Sequence, residues 1–327
     1  MLEIQKGTKM GNLSVQVLLS LYRPDEGFLR EQLRSIERQT YSGIELLVYN
    51  DCPDCPIDER LFSDCLRRVP YRFLPEKGVN LGYDKAFQLL IESSEADALF
   101  FCDQDDVWLP EKVEVCIDRF LRDSSLAVVS DRSVVDGDGR VTCQSVRSVS
   151  KEPSETWSTG DDIAKYALYT TYALGMSMAV RGDFARAAMP VSDYTGHDKW
   201  LIACAAEEGI VSYCDTPLVQ YRRHGNNVSG VLKGIETKAD YYRLRPDWQF
   251  HMVEDYLDRY PHFEARDEVL SFSTARIKRD PKGLFKYRYL APDIAWFEIV
   301  LCFIPGFLFK AMVGVARAMK NGAQNAE

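Results

Sequence analysis

Phe100-Phe101-Cys102-Asp103-Gln104-Asp105-Asp106-Val107-Trp108-Leu109-Pro110-Glu111-Lys112 runs from an apolar stretch into three acidic residues and then into a helix-start signal. Ala98 to Cys102 has the length and composition of a short buried strand, and Pro110 suits the first turn of a helix. Asp103 to Asp106 therefore belong on the connecting loop. Hard carboxylate oxygens on such a loop suit Mg²⁺ or Mn²⁺. In open α/β sheets ligands bind beyond the carboxyl ends of strands, so the position of the loop and its chemistry agree. Helix capping alone is the structural alternative, because Asp favours N-caps and first turns.

Upstream, Ser14 to Ser20 reads as a buried strand. Asp25 to Gln39 follows with Phe28, Leu33 and Ile36 at helical spacing. A second strand, Glu45 to Tyr49, ends in Asn50-Asp51, which again puts a carboxylate just past a strand. A third, Tyr71 to Leu74, leads through Gly78-Val79-Asn80-Leu81-Gly82 to a helix from Asp84 to Ser93. This β-α-β-α-β order predicts an α/β fold, a mostly parallel central sheet flanked by helices, with a ligand crevice at its switch point. No Gly-x-Gly-x-x-Gly and no Walker-type Gly-Lys-Ser/Thr occurs, so the usual glycine cradle for phosphate is missing. A nucleotide-sized crevice with acids in place of that loop suggests a nucleoside diphosphate bridged through a divalent cation.

The 327 residues suffice for a large α/β domain with an appendage, and the net charge of -9 argues against a general nucleic-acid binder. Of the nine cysteines only Cys52 and Cys55 are spaced as a ligand pair, with no partner pair to complete a zinc site. The chain opens without a basic stretch followed by an apolar one, so free thiols in a reducing cytosol are expected. Asp136-Gly137-Asp138-Gly139 lacks the spaced ligands of a calcium loop and reads as a hairpin turn.

Taken in order, these segments resemble the family 2 glycosyltransferases of the GT-A fold, and especially their bacterial rhamnosyltransferase-like branch. Leu18 to Pro24, with Ser20 and Tyr22, is similar to the nucleotide-binding start of that family. Tyr49-Asn50-Asp51 resembles its base-contacting strand end, and Asn80-Leu81-Gly82 before a helix also fits. Asp103-Gln104-Asp105-Asp106-Val107-Trp108 is similar to the Asp-x-Asp motif of the branch, with Asp105 at the metal position. Gly175 to Val180 resembles the acceptor-side strand, His197-Asp198-Lys199-Trp200 the catalytic-base motif, and Tyr221 to Asn227 a loop that closes over the diphosphate. Ser177 imitates a nucleophile elbow, but Ala179 stands where glycine is required. The Gln-x-x-Arg-Trp motif of processive synthases is absent.

The resemblance implies an inverting, metal-dependent transfer of one sugar, with dTDP-rhamnose or a UDP-hexose as donor and a lipid-linked or glycan acceptor in surface polysaccharide synthesis. Asp105, with Asp103 beside it and His224 as a second metal ligand, would hold Mg²⁺ or Mn²⁺ on the departing diphosphate. Arg222 and Arg223 would pair with phosphate oxygens, or form a solvated basic turn. Asp51 would accept from a pyrimidine N–H with Asn80 shaping the pocket, or simply build a turn. Asp198 is the implied base, although the residues alone favour a helix cap there, and His197 is expected to position or pack. A catalytically silent sugar-nucleotide scaffold is the alternative of a different class.

These motifs place a catalytic domain over 14–230, after an extension of 1–13 and before a helical region of 231–327. Within the last, Arg276, Lys278, Arg279, Lys282, Lys286 and Arg288 face only Asp280, just ahead of the apolar stretch from Ile294 to Val315. Glu298 and Lys310 interrupt that stretch and Pro305-Gly306 breaks it. A shallow amphipathic hairpin on the cytoplasmic leaflet, helices packed on the protein, and a true span are the three readings, in that order. The enzyme is thus expected in the cytoplasm, peripheral on the inner face of the membrane.

Overall fold

A computed structural model describes residues 13–224 and 234–324, with side chains to residue 317. The chain divides into two compact units: Met1–Asp161 with Ala173–Pro190 and Glu208–Arg222, and Asp162–Tyr172 with Val191–Glu207 and Arg223–Glu327. The second unit thus takes two segments from inside the expected catalytic span of 14–230.

The first unit is built on a sheet of nine strands among the described residues. Strands β1 (Val15–Leu21), β2 (Ile44–Asn50), β3 (Tyr71–Phe73) and β4 (Ala98–Cys102) run parallel in the order β3-β2-β1-β4. The apolar runs of β1, β2 and β4 are buried, as strands covered on both faces require, while edge strand β3 is partly exposed. Between them lie α1 (Glu26–Glu37), α2 (Glu59–Cys65) and α3 (Tyr83–Glu92). Asp25 caps α1 by accepting from Phe28 N at 3.0 Å, and Leu29, Leu33 and Ile36 fill its inward stripe.

Beyond β4 the sheet departs from the parallel pattern. Besides β5 (Val107–Trp108), β6 (Ala127–Val135), β7 (Val141–Cys143) and β9 (Val211–Arg222), it takes in β8 (Met178–Arg181), which pairs antiparallel with both β4 and β6. β9 runs parallel to β6, and β5 is antiparallel to β9 at the edge. The close seat of β8 depends on Gly182, where a Cβ would stand 2.0 Å from Ala96 O. The expected acceptor-side strand thus starts at Met178, after a 3₁₀ turn at Gly175–Ser177. The Asp136–Arg140 turn joins β6 to β7 as a hairpin.

Helix α4 (Lys112–Asp123) starts two residues after Pro110, because Val107 and Trp108 first return to the sheet against Gln220 and Val219. Its Lys112 is fully buried, donating to Met176 O at 2.9 Å with its ammonium 4.9 Å from the Trp108 ring centroid. Burial lowers its pKa.

In the second unit, α5 (His197–Glu208) is apolar nearly all round, as the run Trp200 to Ala206 predicts. It packs Trp200 edge-on against Tyr256 of α6 (Trp248–Arg259), and Tyr256 donates to Ala203 O at 3.3 Å. Tyr169 donates to Val269 O at 2.7 Å on α7 (Arg266–Lys278). Such contacts explain why both mid-chain segments belong with the C-terminal helices.

The apolar stretch forms α8 (Pro292–Phe303) and α9 (Gly306–Gln324), separated at Ile304-Pro305. Glu298 is wholly buried, accepting from Arg276 Nη2 at 2.8 Å and from Tyr241 OH at 2.8 Å. Arg276 therefore leaves the surface basic patch expected from the sequence, and Glu298 no longer interrupts the outer face of α8. No helix among the described residues is long and apolar enough to cross a membrane.

Candidate active site

The parallel register sets the carboxyl ends of β1, β2 and β4 side by side, Leu21 opposite Asn50 and Leu19 opposite Cys102. Ser20 is the penultimate residue of β1, and Tyr22 follows the strand, half exposed to solvent. Asp51 N donates to Leu21 O at 2.8 Å, which extends the pairing one residue past β2.

The Asp51 carboxylate is buried and organises the loop ahead of α3. Oδ1 accepts from Leu81 N at 2.6 Å, while Oδ2 accepts from Gly82 N and Asn80 Nδ2 at 2.9 Å each. Asn80 Nδ2 also donates to Asp51 O at 2.7 Å. Burial raises the Asp51 pKa, while the Leu81 and Gly82 N–H groups work against that rise. Gly82 has a φ of 81°, open to glycine without strain. Turn building is thus the geometry observed for Asp51, with Asn80 hydrogen-bonded to it. One residue before Asp51, Asn50 brackets Cys52 to Cys55, accepting from Cys52 N at 3.1 Å and donating to Cys55 O at 3.1 Å.

The acidic loop reaches from central β4 to edge strand β5. Gln104, unremarked in the sequence, ties it to the turn after β1: Oε1 accepts from Tyr22 N at 2.9 Å and Nε2 donates to Tyr22 O at 3.1 Å. The signal was present, since an amide carries one donor and one acceptor and can bridge an exposed backbone pair. Asp103 and Asp105 are partly exposed and Asp106 is buried.

Arg222 differs from expectation. It is 2% exposed at the end of β9 rather than on a closing loop. Its backbone N donates to Asp106 Oδ1 at 2.9 Å, its Nε to Asp105 O at 2.9 Å and its Nη2 to Glu31. The guanidinium also stacks over Phe28, 4.5 Å from the ring centroid. A buried guanidinium needs this many acceptors, and the acidic loop supplies them. Arg222 thus fixes the shape of the loop from behind.

Among the described residues Asp106 Oδ2 has no hydrogen-bond partner. Burial drives the Asp106 pKa well above the usual carboxylate range, and the charges of Asp103 and Asp105 add to the rise. Negative charge is in surplus here, and hard oxygens carry it, so this donor set fits Mg²⁺ or Mn²⁺. Among the described residues no group of three or more His, Cys, Asp or Glu is placed to hold a metal by itself. Such an ion would draw its remaining ligands from phosphate oxygens and water, as Mg²⁺ commonly does.

Ser20, Tyr22, Asp51, Asn80, Asp103, Asp105 and Arg222 therefore share the first unit, whereas Asp198, Arg223 and His224 belong to the second. Gly225, Asn226 and Asn227 of the expected closing loop lie outside the described residues. Asp198 stands in the first turn of α5, with Oδ1 accepting from Lys199 N at 2.7 Å. His197 is buried, in keeping with a packing role. Lys199, which the sequence reading passed over, has its pKa lowered to about 7 by burial and then by Arg276, against the favourable charge of Asp198.

The family model for glycosyl transferase family 2 matches residues 17–178, which contain the carboxyl ends of β1, β2 and β4. The chain belongs to glycosyltransferase family 2. It is 22% identical over 236 residues to the uncharacterized glycosyltransferase alr2836 of Nostoc sp., covering 69% of this chain and 70% of that one. Its fold is similar to that of S. aureus TarS 1-349 in complex with UDP-GlcNAc, with a TM-score of 0.56 at 14% identity over 86% of this chain and 83% of that chain. The same protein in complex with UDP gives a TM-score of 0.53 at 15% identity over 94% and 87%. The mixed sheet of this glycosyltransferase is the GT-A arrangement, and its helical C-terminal region follows.

Proposed function

We propose that this enzyme moves one sugar from a nucleoside diphosphate donor to a lipid-linked or glycan acceptor of a bacterial surface polysaccharide, with inversion at the anomeric carbon. The observation that carries the reading is the charge-crowded Asp103–Asp106 loop at the carboxyl ends of parallel strands, beside the turn that Asp51 builds. Asp105, with Asp103 contributing, would hold Mg²⁺ or Mn²⁺, which would supply electrostatic stabilisation to the departing diphosphate. Arg222 keeps the loop in shape, and Arg223 is the side chain proposed to face phosphate.

In the reaction the bond from the anomeric carbon to the diphosphate breaks as the acceptor oxygen attacks from the opposite face. Asp198 takes the acceptor proton, a task that one carboxylate performs as bond formation acidifies the hydroxyl. Asp51 and Asn80 are the proposed floor of the base pocket. The rhamnosyltransferase-like motifs favour dTDP-rhamnose as donor. UDP and UDP-GlcNAc in the TarS structures support a UDP-sugar as the second reading. The enzyme attaches peripherally to the inner face of the cell membrane, the leaflet that carries a lipid-linked acceptor.

Incubation with UDP-, dTDP- and GDP-sugars and an extracted lipid-linked acceptor pool, with the anomeric configuration of the product read by NMR, tests this. One donor consumed with inverted product is expected. Retained configuration would overturn the single displacement, and no consumption of any donor would overturn the activity.

A further inference from the structure

Residues on α8 and α9 divide sharply by face. Ala295, Glu298 and Leu301 point inward on α8, and Phe309 and Val313 do so on α9. The opposite sides carry Trp296, Val300, Phe303, Phe307, Met312 and Val315, all exposed, with Phe303 at 75% and Phe307 at 79%. Large apolar side chains this bare and this contiguous mark an interaction surface. The stretch looked interrupted by two charges in the sequence, but burial of Glu298 against Arg276 leaves Lys310 alone on the outer side. A lysine stem lies along apolar material while its ammonium reaches water or phosphate.

The break at Ile304-Pro305 is held open by Lys238, whose Nζ donates to Leu301 O at 2.7 Å and Ile304 O at 2.8 Å. Phe303 and Phe307 flank that break. α8 has 12 residues, about 18 Å of helix, too short to cross a bilayer but suited to lie along one.

At the other end of the face, Trp296 packs edge-on against Phe285 at 5.8 Å, and the Arg288 guanidinium lies 4.1 Å over Phe285. This contact joins the apolar face to the basic segment. Lys278, Lys282 and Lys286 are exposed there. With Arg276 and Glu298 cancelling each other internally, residues 276–310 keep six bases against Asp280 and Asp293.

We propose that this face of α8 and α9 is a monotopic docking surface for a bilayer containing anionic phospholipid, with Phe303 and Phe307 entering the acyl boundary and the lysines meeting headgroup phosphates. The charge decides the occupant. A second copy of the chain would set one basic rim against another, whereas an anionic leaflet complements it. The inference rests on the peripheral attachment proposed above and names the surface that makes it.

Flotation of the full chain with vesicles of phosphatidylcholine alone and with one quarter phosphatidylglycerol tests it. Thermal unfolding of each variant establishes that it folds. The wild type is expected to float with the anionic vesicles, and less so at high salt. F303S/F307S should lose at least about tenfold in vesicle affinity, since full burial of one Phe already contributes that much. K282E/K286E should lose the preference for phosphatidylglycerol. Undiminished flotation of folded F303S/F307S would overturn this surface while leaving peripheral attachment intact. Absence of the wild type from both vesicle types would overturn attachment as well, and self-association through these residues without vesicle binding would assign the face to a second copy.

Discussion

Replacing Asp51 by alanine removes the acceptor of three N–H groups at once. Asn80 Nδ2 keeps a partner in Asp51 O, so the loss falls on the backbone N–H groups of Leu81 and Gly82. Each stranded donor costs about 1–3 kcal/mol when water cannot replace the acceptor. Leu81 and Gly82 are only half buried, which puts the pair near the lower half of that range, roughly 2–4 kcal/mol in total. Urea unfolding gives the global loss. Amide exchange reads the site itself, where protection of Leu81 and Gly82 should fall about 5- to 30-fold. Asp51→Asn keeps one oxygen and should lose about half as much. Asp54→Ala, at an exposed position of the next turn, should stay within about 0.5 kcal/mol of wild type. If Asp51→Ala matched Asp54→Ala in stability and left exchange at Leu81 and Gly82 unchanged, Asp51 would not organise this loop.

Glu298→Gln strands the buried Arg276 guanidinium and should cost about 3–5 kcal/mol in urea unfolding, most of it recovered in R276M/E298L. Lys199 is protonated in the unfolded chain up to its ordinary 10.5 but in the fold only below about 7, so unfolding takes up a proton between these values. Stability should therefore rise from pH 7 to pH 9 in the wild type, and a Lys199→Met variant should lose that rise when both are compared by unfolding across the range. Asp198→Asn should lower kcat by about 10²- to 10⁴-fold with donor affinity within twofold of wild type, measured by steady-state kinetics and calorimetry.

The local fold was legible where one physical signal dominated. Ala98 to Cys102 is a strand because an apolar run of five residues suits a buried strand and is short for a buried helix, and Asp25 caps α1 because its side chain meets a free N–H. Long-range pairing was not legible. Nothing near Met178 announces that β8 pairs antiparallel with β4, since its partners Ala98 to Phe100 lie far earlier in the chain. Sequence shows a charge without its partner, so Arg222 reads as a phosphate-pairing or solvated loop residue and Arg276 as part of a basic patch. Their acceptors, Glu31 and the acidic loop in one case and Glu298 in the other, lie far along the chain. Of the site, the acids were visible by type and spacing, whereas the unit that carries Asp198 emerged only in three dimensions.

Binding of UDP- and dTDP-sugars by calorimetry, with and without Mn²⁺, compared between wild type and Asp105→Ala, tests the central claim most directly. The account predicts that the wild type binds one of these donors at least tenfold more tightly with Mn²⁺, and that Asp105→Ala loses this gain while retaining the wild-type unfolding midpoint. Equal donor affinity with and without Mn²⁺ in the wild type, or a full metal response in Asp105→Ala, would contradict it.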